Sequence, residues 1–236
     1  MDQQEKKKII EQAKTFFREN IAEHHIKNTK KLKKLKAFQL NPFLANYLAN
    51  FAFGDSHAEN IAKALIYPRI LGTSITTTFG NQMQFFCKDV LRGYASMING
   101  LDIEFEDAVD GRRKYCQMKS GPNTLNKDDV VTIKNHFKNI KNLARTNRNT
   151  DINPTRDCII GILYGEAHQL SGHYKKIREE YPVLVGNEFW HHLTGDEHFY
   201  KELIDAVGLV AVEADSRNLI DETIAKLTAE IKIISQ

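Results

Sequence analysis

The sequence predicts an α/β fold with a helical N-terminal part, and three segments carry this prediction. Residues 1–37 contain no glycine or proline, and their apolar side chains recur at helical spacing. Residues 101–106 alternate apolar and polar side chains, which is the period of a half-buried strand. Residues 158–164 form a continuous apolar run, which is typical of a strand buried on both faces. We therefore expect a basic helical extension over residues 1–40 and one compact α/β unit over residues 41–236.

The composition is that of an ordinary globular protein. Hydrophobic residues make up 42% and charged residues 27% of the chain, which excludes collagen-like and wholly disordered proteins. No apolar run approaches the roughly 20 residues that a membrane helix needs, and the charged segment Met1 to Lys8 lacks the apolar core of a signal peptide. Cys87, Cys116 and Cys158 form no CxxC pair, so neither a disulfide framework nor a zinc knuckle is indicated. We expect a cytoplasmic protein with free thiols.

Between the N-terminal helix and the first predicted strand, the sequence predicts a series of helices with short breaks. These helices span residues 43–53, 57–67 and 80–93. Gly54 ends the first helix and Pro68 ends the second. Ser56 is the expected N-cap of the second helix. The small, β-branched stretch 72–78 is expected to link the second helix to the third.

The second half of the chain begins with a predicted β-hairpin. Asp110-Gly111 is a strong turn signal between residues 101–106 and a second strand over residues 112–120. Asn126 is the expected cap of a long helix that ends near residue 147. Further strands are predicted over residues 158–164, 173–177 and 182–185, and further helices over residues 188–193, 197–212 and 216–234.

The hairpin would bring three polar side chains together at the ends of its strands. Gln117 and Lys119 share one face of the second strand because side chains alternate, and the turn folds this strand beside Asp102. The Asp102 carboxylate, the side-chain carbonyl of Gln117 and the backbone carbonyl of Met118 are oxygen ligands of the kind that Mg²⁺ prefers. Such a cation would polarise a phosphate and activate water, while Lys119 would orient that water and stabilise the developing charge. The set therefore indicates metal-assisted phosphodiester hydrolysis.

These residues resemble the signature of the PD-(D/E)XK nucleases, with Gly-Leu-Asp102-Ile-Glu, a hairpin and then Gln117-Met-Lys119-Ser-Gly. Further blocks resemble type II restriction endonucleases that cut interrupted G/C sites of the GGNCC kind, and they occur in the same order. These blocks are Asn41-Pro42-Phe43-Leu44, Tyr67-Pro68-Arg69-Ile70-Leu71-Gly72, Ile162-Leu163-Tyr164-Gly165 and Gly186-Asn187-Glu188-Phe189-Trp190. The resemblance covers roughly residues 41–195.

The resemblance implies a restriction-endonuclease-like core, in which helices flank a mixed central β-sheet. It also implies Mg²⁺-dependent hydrolysis of double-stranded DNA at a short, largely palindromic site, leaving 5′-phosphates. A homodimer is then expected, because each subunit reads one half-site. A cognate DNA methyltransferase is expected in the same system.

Two residues depart from the family pattern. Leu101 stands where a proline is usual, and Gln117 replaces the usual Asp or Glu, which removes one negative charge from the expected metal site. A further acidic or amide group could come from the preceding helices, with Gln84 as the first candidate and Glu59 as the second. Because of Gln117, the chain could instead be a DNA-binding protein that has lost activity.

Candidate DNA contacts lie after the second hairpin strand, on the long helix and in a later polar segment. Asn can pair with adenine in a DNA groove, and the candidates after the strand are Ser120, Asn123 and Asn126. Basic residues recur along the long helix at steps of three or four, and we name this set the basic stripe: Lys134, Lys138, Lys141, Arg145 and Arg148. Phosphates could meet this stripe, although it could also be a solvated helix face. His168, within the polar segment 165–176, could read bases or belong to an ordinary loop.

Other interpretations stay open. The six lysines between Lys27 and Lys36 could face phosphates, although a solvated helix end is the simpler interpretation. A repair or junction-resolving nuclease, selective for DNA structure, would share the catalytic motif. A helical interaction protein unrelated to DNA would show no steep dependence of binding on salt.

Overall fold

The structure is a computed structural model of the chain and describes residues 1–91, 93–96, 98–146 and 151–234. The chain forms two compact units. We call residues 1–14 and 83–207 the sheet unit, and residues 15–82 and 208–236 the helical unit. These units divide the chain at other points than residue 40, so the division into an extension and one main unit remains a prediction.

Within the described residues, five strands form one mixed sheet in the sheet unit. They are β1 (Tyr94–Ala95), β2 (Ile103–Glu106), β3 (Arg113–Lys119), β4 (Cys158–Ile162) and β5 (Val183–Val185), and their spatial order is β1-β2-β3-β4-β5. The pairs β1–β2 and β2–β3 are antiparallel, whereas β3–β4 and β4–β5 are parallel. With helices flanking this sheet, the predicted α/β fold with a mixed central sheet is confirmed.

Helices account for most of the remaining described chain. In order they are α1 (Gln3–Phe17), α2 (Glu23–Lys31), α3 (Pro42–Phe53), α4 (Ala58–Pro68), α5 (Ser74–Asp89), α6 (Lys127–Thr146), α7 (Pro154–Asp157), α8 (Gly172–Arg178), α9 (Asn187–Thr194), α10 (Phe199–Glu213) and α11 (Arg217–Ile234). Short helical turns of other types occupy Arg18–Ala22, Leu35–Ala37, Arg69–Thr73 and Ala167–Gln169. Over the part of the chain that is described, no helix combines the length and the apolar character that a membrane crossing requires.

The β2–β3 hairpin is closed by side chains of its own turn. The Asp107 carboxylate accepts the N–H of Val109 at 2.9 Å, and the Asp110 carboxylate accepts the N–H of Arg112 at 3.0 Å. Gly111 has a φ angle of 69°, in the left-handed region that favours glycine. The Asp-Gly turn signal is thereby confirmed.

The two faces of the sheet pack against different helices. One face forms a core cluster that contains Tyr115, Ile160, Ile162, Val183 and Val185 of the strands, Ile133, Phe137 and Ile140 of α6, and Tyr174 and Ile177 of α8. On the other face, Phe105 meets Phe189 of α9 edge to face, with 6.4 Å between ring centroids. A Cβ atom at Gly161 would lie 2.3 Å from the Phe189 ring, so only glycine permits this close approach.

The helical unit has its own core. It is formed by Leu32, Ala62, Ile66, Ile70, Ile224, Leu227 and Ile231. The predicted stop signal of α3 is confirmed, because Gly54 ends the helix with a φ angle of 88°. At its start the Asn41 side chain accepts the N–H of Leu44 at 3.2 Å. Within the lysine-rich segment, Lys33 forms an ion pair with Glu222 at 2.9 Å.

Two predicted non-helical segments are wrong. The stretch 72–78 is mostly part of α5, where the Thr76 and Thr77 hydroxyls donate to backbone carbonyls one turn earlier at 3.1 and 2.9 Å. These bonds satisfy the hydroxyls within the helix, so β-branching did not prevent its formation. The predicted strand 173–177 is α8, because Tyr174 and Ile177 are both buried at helical spacing.

Two helix boundaries also differ from the prediction. Helix α4 begins one residue later than predicted, with His57 rather than Ser56 as its N-cap, and the Asp55 carboxylate accepts the N–H of His57 at 2.9 Å. The N-terminal helix is not continuous to residue 37, because a π-helical turn follows α1 and α2 ends at Lys31.

Candidate active site

Asp102 is held immediately before β2 by three contacts. Its N–H donates to the Cys116 carbonyl at 3.1 Å, and its carboxylate accepts the N–H of Met118 at 2.6 Å. The Gln84 amide lies 3.5 Å from the Asp102 carbonyl oxygen. The Asp102 carboxylate accepts the Met118 N–H where a backbone carbonyl of a paired strand would otherwise accept it. This bond fixes the carboxylate at the end of the hairpin.

The hairpin brings Asp102 beside the end of β3 that carries Gln117 and Lys119. The pairing of β2 with β3 ends at Ile103 and Cys116, and the Asp102 carboxylate, just before β2, accepts the N–H of Met118. Gln117 and Lys119 lie on either side of Met118 and share one face of β3. The structure thus brings the three predicted catalytic residues to one end of the hairpin. Cys116, between Tyr115 and Gln117, is buried on the opposite face of β3.

Two features of this face suit a cation. The Gln117 Oε1 atom is buried and has no hydrogen-bond partner within the described chain. Burial raises the pKa of Asp102, while the Met118 N–H, Lys119 and His136 act in the opposite direction. A buried oxygen without a donor and a carboxylate disfavoured by desolvation are both stabilised when a cation binds.

The donor set fits Mg²⁺ through hard oxygen atoms. The N–H and C=O groups of a strand residue point to the same side, so the Met118 carbonyl faces the side on which its N–H meets Asp102. One carboxylate, one amide oxygen and one carbonyl are ligands of the kind that Mg²⁺ takes together with water. No group of three His, Cys, Asp or Glu side chains that could hold a metal occurs among the described residues, so amide and backbone oxygens would be needed here.

The two candidates for an extra active-site group have different positions. The Gln84 side-chain amide, on α5, lies 3.5 Å from the backbone carbonyl oxygen of Asp102, and its role as an active-site group stays a prediction. Glu59 belongs to the helical unit, where its carboxylate forms an ion pair with Lys63 at 2.6 Å that lowers its pKa.

The loop after β3 is ordered by contacts of its own. The Asn126 side chain accepts the N–H of Asp129 at 2.9 Å, and the Asp129 carboxylate accepts the N–H of Asn126 at the same distance. Asn126 therefore caps α6, as predicted. Asn123 is exposed and Ser120 is half-buried, so both remain accessible candidates for DNA contact.

The basic stripe is only partly free of protein partners. Lys134 forms an ion pair with Glu180 at 2.6 Å. Lys138, Lys141 and Arg145 are exposed, and within the described residues they have no ion pair; we call them the three exposed cations. Arg148 lies outside the described residues. The side of α6 that carries Ile133, Phe137, Ile140 and Ala144 is buried.

His168 lies in the short helical turn Ala167–Gln169 and is exposed. Its Nδ1 atom is 3.1 Å from the Glu166 carboxylate, and Glu166 and Gln169 cap the turn reciprocally. A capped turn presents His168 to solvent in a defined position, whether or not it contacts DNA.

His136 of α6 was not among the predicted site residues, although it acts electrostatically on Asp102. Its position is one residue from buried Phe137 and three from buried Ile133. A histidine at the boundary of an otherwise apolar helix face was the available signal. The sequence could not show that Asp102 lies beside that boundary.

A mixed sheet flanked by helices is consistent with a restriction-endonuclease-like α/β fold. The family model described as type II restriction endonuclease EcoO109I matches residues 11–215, which is most of the chain. The chain belongs to this family. Membership implies a nuclease whose substrate is DNA. No curated protein shows significant sequence similarity to the chain.

Proposed function

We propose that the chain is a type II restriction endonuclease of the PD-(D/E)XK kind, with Asp102, Gln117 and Lys119 as its catalytic residues. The observation that carries this proposal is the buried Gln117 Oε1 atom, which has no partner in the described chain and lies one residue from Met118, whose N–H the Asp102 carboxylate accepts. In an enzyme without a cation at this position, burying both groups together would have no evident physical reason. The proposed substrate is double-stranded DNA with a site of the GGNCC kind.

Asp102, Gln117 and the Met118 carbonyl would hold Mg²⁺. When bound, Mg²⁺ supplies Lewis-acid polarisation of the phosphate and lowers the pKa of water. Lys119 orients the attacking water with its ammonium group and stabilises negative charge on the phosphoryl oxygens. The water oxygen bonds to phosphorus, the bond from phosphorus to the 3′ oxygen breaks, and the products carry a 5′-phosphate and a 3′-hydroxyl.

The three exposed cations of the basic stripe are the proposed phosphate contacts. Exposed Lys and Arg side chains at helical intervals can neutralise successive phosphates, which fixes the enzyme on the duplex without selecting a sequence. Sequence selection would then fall to Ser120, Asn123 and His168, which lie in segments that follow β3 and β4.

We also propose that two copies of the chain pair through α3. On this helix the Tyr47 ring stacks on Phe51 with 5.9 Å between centroids. Phe43, Tyr47 and Phe51 are 88%, 61% and 77% exposed, so side chains of roughly 150–250 Å² each supply roughly half to two thirds of the roughly 800 Å² that a stable interface buries per partner. Helix α3 has no charged residue, so two copies of this face can meet without desolvating a charge. A dimer suits a palindromic site.

Light scattering after gel filtration tests this dimer. The wild-type chain should elute as a dimer, and Phe43→Ser together with Phe51→Ser should give a monomer. Val109→Ser, at an exposed position of the hairpin turn, serves as the matched control and should remain dimeric. A monomeric wild type, or a dimer that survives both serine substitutions, would contradict the proposed surface.

The replacement of the usual acid by Gln117 favours one alternative, a DNA-binding protein without cleavage. Digestion of several plasmids with MgCl₂, and with EDTA in parallel, separates the possibilities. Discrete bands only with MgCl₂ support the proposal, whereas a smear indicates a nuclease without sequence selectivity. Site-specific binding without cutting would support the alternative. A cognate methyltransferase and a cytoplasmic location are part of the same proposal.

A further inference from the structure

His136 lies beside the candidate active site and has no role in the mechanism given above. It is half-buried on α6, and its Nδ1 atom is fully buried without a hydrogen-bond partner in the described chain. Buried polar atoms without partners are rare in folded proteins, and they concentrate at sites with a functional constraint. The Gln117 Oε1 atom is a second buried polar atom near Asp102 without a hydrogen-bond partner in the described chain.

The His136 imidazole packs against the turn that leads into Asp102. Gly100 has a φ angle of 89°, and a Cβ atom there would lie 2.3 Å from Nδ1 and 2.4 Å from Cε1 of His136. The turn is closed by a hydrogen bond from the Leu101 N–H to the Ile98 carbonyl at 3.2 Å. Glycine is needed here for both reasons, since any other residue would be strained and would displace the ring.

The turn is the part of the Asp102 environment that the strands do not fix. On the strand side, Asp102 is anchored by the Cys116 carbonyl and the Met118 N–H. On the other side, the chain reaches Asp102 through Gly100, whose backbone has the widest conformational freedom of any residue. The His136 ring removes that freedom by filling the space beside Gly100.

We propose that His136 is a positioning residue, which holds the Gly100 turn and thereby presents the Asp102 carboxylate for cation binding. This inference rests on the proposed role of Asp102 as a cation ligand. Ligand groups bind metals tightly when neighbouring side chains fix their orientation in advance. The contact between the His136 ring and Gly100 fixes the orientation of the Asp102 carboxylate, and no ring nitrogen binds the cation.

Mn²⁺ titration of the DNA-free protein, followed by electron paramagnetic resonance of the free ion, tests this without any cleavage assay. We expect His136→Ala to weaken Mn²⁺ binding about 5- to 10-fold, because the turn is released. His136→Phe keeps a ring against Gly100 and should stay within about twofold of wild type. Asn135→Ala, the exposed neighbour on α6, is the matched control and should not differ from wild type.

Gly100→Ala tests the same contact from the other side. It should weaken Mn²⁺ binding as His136→Ala does, and the double variant should lose no more than the worse single variant, since both act on one contact. If circular dichroism shows that His136→Ala does not fold, the comparison of Mn²⁺ affinity between Gly100→Ala and His136→Phe tests the proposal instead.

Three results would overturn the positioning role. The first is an unchanged Mn²⁺ affinity in folded His136→Ala, and the second is an unchanged Mn²⁺ affinity in Gly100→Ala. The third is an equal loss of Mn²⁺ affinity in His136→Phe and His136→Ala, because this would indicate that a ring nitrogen binds the cation. Failure of the wild-type protein itself to bind Mn²⁺ would instead overturn the proposed function. The two failures are therefore distinguishable.

Discussion

Gln117→Glu is the substitution whose effect follows most directly from the site geometry. It adds one negative charge next to Met118, whose N–H the Asp102 carboxylate accepts, and changes the side-chain size very little. The charge has opposite effects on two measurable quantities. It should destabilise the cation-free protein, and it should tighten cation binding.

The magnitude follows from the position of the two residues in the hairpin. Neighbouring side chains on antiparallel strands have Cβ atoms about 5 to 8 Å apart, from directly opposite to diagonal. Two unit charges at such a separation repel by about 2 to 3 kcal/mol at an effective dielectric constant of about 20. Uptake of a proton by the pair limits the destabilisation to less than this value. A bound divalent cation removes the repulsion between the two carboxylates. The free energy of this repulsion then adds to the binding free energy of the cation, which corresponds to a gain in affinity of about 10- to 100-fold.

Isothermal titration calorimetry with MgCl₂ at pH 8 measures the affinity, and urea unfolding in EDTA measures the stability. Gln3→Glu makes the same chemical change at an exposed position of the sheet unit and is the matched control. We expect Gln117→Glu to unfold at lower urea in EDTA and to bind Mg²⁺ at least tenfold more tightly. The control should change neither quantity.

Two results would refute this reasoning. If Gln117→Glu binds Mg²⁺ within twofold of wild type, Gln117 does not face the cation. If its stability in EDTA is unchanged while the protein stays folded, the two side chains are not close enough to repel each other.

Two further predictions concern DNA affinity and stability. Replacing the three exposed cations of the basic stripe with alanine should reduce the slope of log DNA affinity against log salt concentration by about 2.7. Lys134→Ala should have a smaller effect, because Lys134 already pairs with Glu180. Equal slopes for wild type and the triple variant would contradict phosphate contact. His192 donates a hydrogen bond to the Asp107 carboxylate at 2.7 Å, and this bond raises the pKa of His192 above the ordinary 6.5. Protonated His192 therefore stabilises the fold fully below pH 6.5, and this stabilisation is lost as the pH rises through the raised pKa. Urea unfolding between pH 6 and pH 9 should therefore show a loss of stability in wild type that His192→Gln lacks, and parallel pH profiles would contradict it.

The sequence was sufficient where local signals and the hydrophobic pattern agreed. The Asp110-Gly111 turn, the buried run that begins at Cys158 and the Asn126 cap are each specified by neighbouring residues, and all three are present in the structure. The approach of Asp102 to the end of β3 followed from the hairpin alone, because one turn folds the two strands beside each other.

Other features depend on contacts between distant segments, which one sequence does not reveal. The segment that contains Tyr174 was predicted as a strand, and its burial against the sheet made it helical. The position of His136 beside Gly100 depends on how α6 packs on the sheet. Likewise, the exposure of Phe43 and Phe51 could not be foreseen, because their apolar character predicted burial.

The central claim is that Asp102 and Lys119 are the catalytic groups of a site-specific DNA endonuclease. The most direct measurement compares single-turnover cleavage of a plasmid with one mapped site by wild type, Asp102→Ala and Lys119→Ala in MgCl₂, with binding to the same site measured in parallel. We expect each variant to cut at least about 100-fold more slowly than wild type, which is the usual effect of removing one group that stabilises the transition state, and to bind the site with retained specificity. Cleavage by either variant at the wild-type rate would contradict the assigned site.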